Sequence, residues 1–452
     1  KICKASEAPK CSHLGISEPK QFYQNIIQTI TQSKVCVFSI IRSDIDYCGN
    51  IKFNLKFPQC ISYILGMVSR KIEEKILSEG IKYPVITIVG PRQSGKTTLA
   101  KKLFPNYKYV NLEQRDLRDF AHRDPKGFLA SHKPPIILDE IQNCPELLSQ
   151  VQVEVDRTGL DAQFVITGSQ QLLLSQAISQ SLAGRTSIFT LLPYSISEIS
   201  NYNKDFSRGE FILNGGMPRL YEKNLEAESY YRDYIQTYIE RDVRTLINVK
   251  DLRKFELFLT LLAGRVGQII NYSSLAGDVG VSSTTLKEWL SVLVASHIVF
   301  TLQPWFGNVT KRLTKSPKVF FVDTGIPCSL LSLTNAERVE KDGLFGNLFE
   351  NMVILEAMKA RLNAGKKTDL YFLRTESGIE IDLLDVRGGS VVPYEIKASD
   401  SIVPEFFKNF TKAESFVPNF EGKQGGLIYS GDEMDSYMER RIFNYKKLDT
   451  VF

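Results

Sequence analysis

This 452-residue sequence predicts an α/β fold in successive domains, and three observations carry that expectation. Apolar β-rich runs alternate with helical patterns from residue 67 onward, the rhythm of a parallel sheet covered by helices. A glycine-containing loop joins the first of these strands directly to a helix. Near the carboxy end, GIEIDLLDVRGGSVVPYEIKAS reads as a strand hairpin carrying acids and a lysine.

Bulk properties set the frame. At this length about three domains are expected. The apolar share of 43% and charged share of 24% are those of a soluble globular protein. A formal charge of +5 permits contact with nucleic acid without arguing for it. No apolar run is long enough to span a bilayer, so no membrane role is expected, and the compartment reads as cytoplasmic. The four histidines (His13, His122, His132, His297) are scattered, which speaks against a zinc site of ordinary ligand spacing. Five of the seven cysteines precede position 61, without a C-x-x-C pair. The first methionine is Met67, so residues 1–66 read as an upstream extension that adds nothing to function.

From Met67 the chain runs as amphipathic helix, turn and buried strand into VITIVGPRQSGKTTLA. The pattern Gly90-x-x-x-x-Gly95-Lys96-Thr97 stands between a strand and a helix, the setting a phosphate-binding loop requires. Backbone N–H groups of Gly90, Pro91, Arg92, Gln93, Ser94, Gly95, Lys96, Thr97 and Thr98 frame this loop, all but proline able to donate. The helix N-terminus adds partial positive charge. Lys96 would reach the β- and γ-phosphates of ATP, and the Thr97 hydroxyl would ligate Mg²⁺. In KPPIILDEIQN the run Ile136–Leu138 reads as a central parallel strand. Asp139 and Glu140 follow at its carboxyl end, where open α/β sheets bind ligands. Asp139 would hold Mg²⁺ through water, and Glu140 would act as general base. A further strand ends at Ser169, which either contacts the γ-phosphate or forms a plain turn. Arg185, before TSIFTLL, either stabilises transition-state charge or opens that strand at the surface.

Residues 67 to about 224 resemble an archaeal and bacterial family of AAA+-type ATPases related to STAND-like switch ATPases. The resemblance rests on MVSRKIEEKI, GPRQSGKTTLA, YVNLEQRD, IILDEIQN, ITGSQQLLL, SLAGR and LLPYSISEI. Residues 216 to about 415 resemble DUF4143, the carboxy-terminal region of such proteins, on GGMPRLY, YIERDV, KVFFVDTGI, LFGNLFENMV, GIEIDLL and YEIKAS. It implies a P-loop NTPase domain of AAA+ type over 67–224, with ATP and Mg²⁺ as cofactors. Sites of this type often lie at subunit boundaries, so a homo-oligomer is an expectation too.

Between the two ends, Tyr231, Tyr234, Ile235, Tyr238 and Ile239 recur at helical spacing and read as packing surface. The stretch from Ser273 to Trp305 reads as helix, tight turn at Gly280, helix and β-rich segment, a winged-helix pattern within 225–315. Its second helix offers only Lys287 as a base, offset by Glu288. The winged helix serves either protein packing or DNA contact; the latter would use phosphates at the wing, through Lys311, Arg312, Lys315 and Lys318.

In the carboxy-terminal α/β domain (316–432, with 433–452 as a tail), strand alternation puts Glu380 and Asp382 on one face and Ile379, Ile381 and Leu383 on the other. On the return strand Glu395 and Lys397 point together. Asp382 and Glu395 could then share a hard divalent cation beside Lys397. This resembles the restriction-endonuclease-like PD-(D/E)xK core, in which a preceding helix often supplies another acid, here Glu350. Three readings follow: a switch or DNA-handling ATPase, a nucleotide-gated Mg²⁺-dependent DNA nuclease, and a switch whose carboxy-terminal half binds protein.

Overall fold

A computed structural model describes residues 68–169, 178, 180–200, 202, 206–243, 251–305, 316–431 and 436–452. The amino-terminal extension, the wing bases Lys311, Arg312 and Lys315, and the link to the expected tail lie outside the described residues.

The first layer system begins with α1 (Ile72–Ser78), β1 (Val85–Val89) and α2 (Lys96–Leu103). It continues through β2 (Lys108–Asn111), β3 (Ile136–Asp139), α3 (Leu147–Thr158), β4 (Phe164–Gly168) and β5 (Thr186–Thr190). The strands form a five-stranded sheet in the order β2-β3-β4-β1-β5, with every pair parallel. All five residues of β1 and β4, and all four of β3, are buried, as strands covered on both faces must be. Alternation along β1 shows why. Val85 and Val89 join Leu138, Ile166 and Val151 of α3 on one face, while Ile86 and Ile88 join Leu99 of α2 and Ile72 of α1 on the other. This packing brings the carboxyl ends of β1, β3 and β4 to one edge.

A helical middle follows, comprising α4 (Ala227–Tyr234), a π-helical continuation (Ile235–Val243), α5 (Leu252–Ala263), α6 (Tyr272–Val279) and α7 (Ser283–Ala295). The aromatic stripe packs as its spacing predicts: Tyr231, Tyr234, Ile235, Tyr238 and Ile239 are all buried. Asn271 and Ser282 cap α6 and α7 through N–H groups three residues on, and Gly280 closes α6 in the left-handed region at φ 73°.

The second sheet has eight strands in the order β12-β13-β11-β10-β9-β8-β6-β7. Its members are β6 (Val299–Pro304), β7 (Lys318–Phe321), β8 (Leu370–Arg374), β9 (Glu380–Arg387), β10 (Ser390–Lys397), β11 (Gly426–Tyr429), β12 (Ser436–Tyr437) and β13 (Arg440–Asn444). The long helix α8 (Phe345–Asn363) lies against one face. Two expected boundaries change here. The strand β6 pairs with both β7 and β8, so the sheet crosses the expected division at 315/316. The expected tail is part of the core, because β13 pairs in parallel with β11 and Tyr445 and Leu448 are buried.

Strand alternation in β9 also breaks. Tyr371 pairs with Leu384 but Leu373 with Ile381, so Phe372 opposes both Asp382 and Leu383. This β-bulge re-aims side chains at the start of the strand. Leu383 consequently packs with α8, whereas Ile379 and Ile381 pack in the core on the other side. The three were expected to share one face.

Candidate nucleotide and acidic sites

The loop between β1 and α2 has the geometry its glycines dictate. Gly90 has φ 148°, and a Cβ there would lie 2.2 Å from the Leu191 carbonyl oxygen, so no larger residue fits. Gly95 has φ 93° at the cap of α2. Lys96 is 4% exposed, and its ammonium donates to the carbonyls of Gly90 (3.0 Å) and Pro91 (2.7 Å). Burial pushes its pKa down to about 8, against the opposing pull of Glu140 and Asp139. Arg92 lies over the Tyr238 ring, and Gln93 accepts from the Tyr230 hydroxyl at 2.7 Å. The buried Ser94 hydroxyl has no partner among the described residues, while the Ser94 carbonyl accepts from Arg70 at 3.0 Å. Thr98 is exposed.

The two predicted magnesium-binding residues meet. The Thr97 hydroxyl donates to the Asp139 carboxylate at 2.9 and 3.0 Å. Tyr109 on β2 also donates to Asp139 at 2.7 Å, as does Thr167 at the end of β4. Glu140 leaves β3 in the left-handed region (φ 56°, ψ 48°), and its N–H donates to the Thr167 hydroxyl at 3.3 Å. Its carboxylate accepts from Ser169 at 3.1 Å and from the Gln142 amide. The same amide nitrogen donates to Ser169 at 3.1 Å, and Gln142 Oε1 is buried with no partner among the described residues. Ser169 therefore stands beside the acidic strand end.

Arg185 is not brought to this edge. Its carbonyl pairs with the N–H of Val85, at the amino end of β1, and its guanidinium grips Asp156 at 2.6 and 2.9 Å. One strand length separates the two ends of β1, which is why a position just before β5 falls on the far side of the sheet.

Sequence reasoning missed Tyr109, Gln142, Thr167 and Arg70. Gln142 and Thr167 adjoin recognisable motifs, but a lone tyrosine on an edge strand or an arginine ahead of a helix carries no local signal. It also missed His297, in a left-handed turn (φ 54°) between α7 and β6. Burial, with the Lys96 ammonium nearby, pushes this imidazole down to about 4. Among the described residues, neither its buried Nδ1 nor the buried Tyr234 hydroxyl has a hydrogen-bond partner.

The acidic cluster assembles as paired charges. Lys397 donates to both Asp382 and Glu395 at 2.8 Å. Beyond the pair Leu383–Tyr394 the two strands part, and Asp382 spans the fork by accepting from the Ile396 N–H at 2.9 Å. Lys318 is a correction to its expected place at an exposed wing: it is buried on β7, 3.0 Å from Glu350 and 3.1 Å from Glu380. Burial raises Glu350 to about 7, with Lys318 pulling the other way. Burial opposes ionisation of Asp382, yet Lys397 and Lys318 hold it below its usual value; burial and the Asp382 charge hold Glu395 well above. Elsewhere, His122 is not isolated: it pairs with Glu146 near Cys144, whose buried thiol is pushed up to about 11.

Comparison with known proteins matches residues 82–200 to an AAA domain, residues 207–337 to a domain of unknown function (DUF8612) and residues 345–448 to DUF4143. DUF4143 thus begins later than its expected start near 216. An uncharacterised protein of Mycobacterium tuberculosis is 32% identical over 324 residues, covering 70% of this chain and 71% of that one. An uncharacterised protein of Methanocaldococcus jannaschii is 24% identical over 351 residues, covering 70% and 75%. Among solved structures, a Walker-type ATPase of Pyrococcus abyssi is similar at 14% identity and TM-score 0.37, over 58% of this chain and 96% of that one. A STAND protein of Pyrococcus horikoshii with a tetratricopeptide repeat sensor is similar at 14% identity and TM-score 0.24, over 66% and 47%. Among the described residues, no helix is long and apolar enough to cross a membrane.

Proposed function

The chain belongs to the family that joins an AAA domain to a carboxy-terminal DUF4143 domain, and from that premise we propose that it binds and hydrolyses ATP as a nucleotide-driven switch or DNA-handling ATPase. The contact between Thr97 and Asp139 carries the reading. A hydroxyl from the phosphate loop and a carboxylate from a neighbouring strand end meet where a hard cation prefers oxygen ligands. Thr97 and Asp139 would hold Mg²⁺ there, which would supply positive charge to offset that of the phosphates. Lys96 exchanges its two loop carbonyls for phosphate oxygens. The Glu140 carboxylate takes a proton from the attacking water. In the full chain, Lys96→Ala should abolish ATP binding. Glu140→Gln should retain binding and lower kcat at least about 100-fold. Hydrolysis that persists unchanged in both variants would overturn the reading.

A second reading rests on the convergence of Asp382, Glu395 and Lys397. Four carboxylates (Glu350, Glu380, Asp382, Glu395) face two ammoniums (Lys318, Lys397) and the Arg374 guanidinium, 4.0 Å from Glu380, an excess of one acid over the bases. Asp382 and Glu395 would hold a divalent cation, and Lys397, which donates to both here, would then be placed to orient water. This supports a nucleotide-gated Mg²⁺-dependent DNA nuclease. Wild-type protein should then cut single- or double-stranded DNA with Mg²⁺ or Mn²⁺, and Asp382→Ala should not. Equal cutting by both, or none by either, removes the nuclease reading. If DNA neither is cut nor stimulates ATP hydrolysis, the carboxy-terminal half is better read as a protein-binding module.

A further inference from the structure

We propose that His122, Cys144 and Glu146 form a three-ligand site for a divalent transition metal of the zinc class, separate from the magnesium position at Thr97 and Asp139. The ligands are too far apart in sequence for an ordinary zinc motif, and the fold gathers them. His122 lies in the last turn of the helix Arg115–Arg123. Cys144 follows the short 3₁₀ turn Ile141–Asn143 that leaves Glu140, and Glu146 stands at the N-cap of α3. Imidazole nitrogen, thiol sulfur and carboxylate oxygen all lie within 4.8 Å of one another. Tetrahedral zinc holds such atoms about 3.4–3.6 Å apart, so movements of about 1 Å complete the geometry. The side chains of His122 and Glu146 are 40% and 46% exposed and have room to make them. Cys144 is the fixed point: it is buried in the core that holds Leu148 and Val151, and its N–H donates to the Ile141 carbonyl at 2.9 Å. Its thiol thus lies directly behind two side chains that reach solvent, and their parting admits an ion.

Charge and tautomer point the same way. His122 Nε2 lies 3.2 Å from the Asn143 carbonyl oxygen. A carbonyl only accepts, so Nε2 carries the hydrogen and Nδ1 turns its lone pair to the Glu146 carboxylate. Two such acceptors stay in contact only with a cation between them, either a proton or a metal ion. A backbone carbonyl on the far nitrogen is also what orients a ligating imidazole. Burial and the Glu146 charge push the Cys144 thiol up to about 11, with the Leu147 N–H and Arg118 pulling the other way. A divalent ion among the three relieves both conflicts, since it gives the thiolate a counter-charge and offsets the carboxylate that opposes it. The donor set selects the metal. Thiolate and imidazole favour zinc and its neighbours, whereas Mg²⁺ and Ca²⁺ take oxygen ligands. Three protein ligands leave the fourth tetrahedral position to water. Asn143, whose carbonyl orients His122, donates its amide to the Glu140 carbonyl at 3.1 Å. A bound ion therefore ties the turn after Glu140 to the helix that carries His122.

The test uses the full chain, freed of metal with a chelator and titrated with Co²⁺, whose spectrum reports its ligands directly. Wild type should show a thiolate-to-cobalt charge-transfer band and the intense visible bands of tetrahedral cobalt. Zn²⁺ should bleach both, and a large excess of Mg²⁺ should not. Cys144→Ser should lose the charge-transfer band. His122→Ala and Glu146→Gln, at exposed positions, should keep the fold and weaken Zn²⁺ at least about 10-fold, the smaller end of what losing even an outer-shell partner costs. These two variants decide the matter if Cys144→Ser melts at assay temperature. Absence of a charge-transfer band in wild type overturns the proposal. So do bands left unchanged by all three substitutions, which place the metal on other cysteines of the chain. Displacement by Mg²⁺ as readily as by Zn²⁺ also overturns it, marking a site of oxygen ligands alone. No step of the titration involves ATP, so its outcome is independent of the ATPase reading.

Discussion

At the scale of single residues, charge and burial decide behaviour together. Lys96 is mostly desolvated against two carbonyls, so its proton is held less tightly than in water, with a pKa of about 8. Phosphate oxygens favour the ammonium, so ATP binding at pH 9 should take up a proton. Calorimetry in buffers of different ionisation enthalpy reads that uptake, and the Lys96 share of it should shrink toward pH 7, where the free protein already holds the proton. His297 gives a separate expectation. Its folded pKa of about 4 lies below the unfolded value near 6.5. Between these values the unfolded chain binds a proton that the folded one refuses, so stability falls as pH drops through 6.5 and the loss is complete near 4. From pH 6.5 to 5 the expected loss is about 1.5 kcal/mol. Melting curves over that range should flatten in His297→Gln. The phosphate loop, Asp139 and Glu140 were legible as residue types at fixed spacing. Gln142 and His297 were not, because their significance lies in partners that only the fold supplies.

At the scale of elements, α8 is the clearest case. Its middle carries Glu356 and Lys359, 6% and 3% exposed, paired with each other at 2.8 Å. Glu356 also accepts from the Ile196 N–H and Lys359 donates to the Tyr194 carbonyl, tying the helix to the segment after the first sheet. Removing one buried partner strands the other, so Glu356→Ala should destabilise by about 3–5 kcal/mol. Pairing Glu356→Leu with Lys359→Met should recover much of that loss, because no isolated charge remains. Chemical denaturation of both variants checks the difference. The helix itself was legible from LFGNLFENMVILEAMK, but its ion pair at i, i+3 resembled an ordinary solvated face. Likewise the alternation of β9 predicted side-chain faces correctly up to the bulge opposite Phe372. Nothing in the local sequence announces a one-residue shift set by a neighbouring strand.

At the scale of the whole molecule, one continuous core runs from Tyr194 through the middle helices to Val451. Sequence patterning separates periods, not cores, so the division placed at 315/316 followed the change from helices to strands. The fold ignores it, since β6 and β7 complete the sheet. A fragment of residues 316–452 should therefore fail to fold alone, whereas one beginning at 192, which keeps Tyr194 and Ile196, should melt in a single cooperative transition. Circular dichroism and limited proteolysis distinguish the two. The same pair of strands has a thermodynamic meaning. At one end β6 follows His297, within electrostatic reach of Lys96; its partner β7 begins with Lys318, clasped by Glu350 and Glu380. Were a cation to bind the acidic cluster and a shift of that pair to couple it to ATP, the two sites would be terms of one binding polynomial. Whatever factor ATP imposes on cation affinity at the acidic cluster, the cation must return to ATP undiminished.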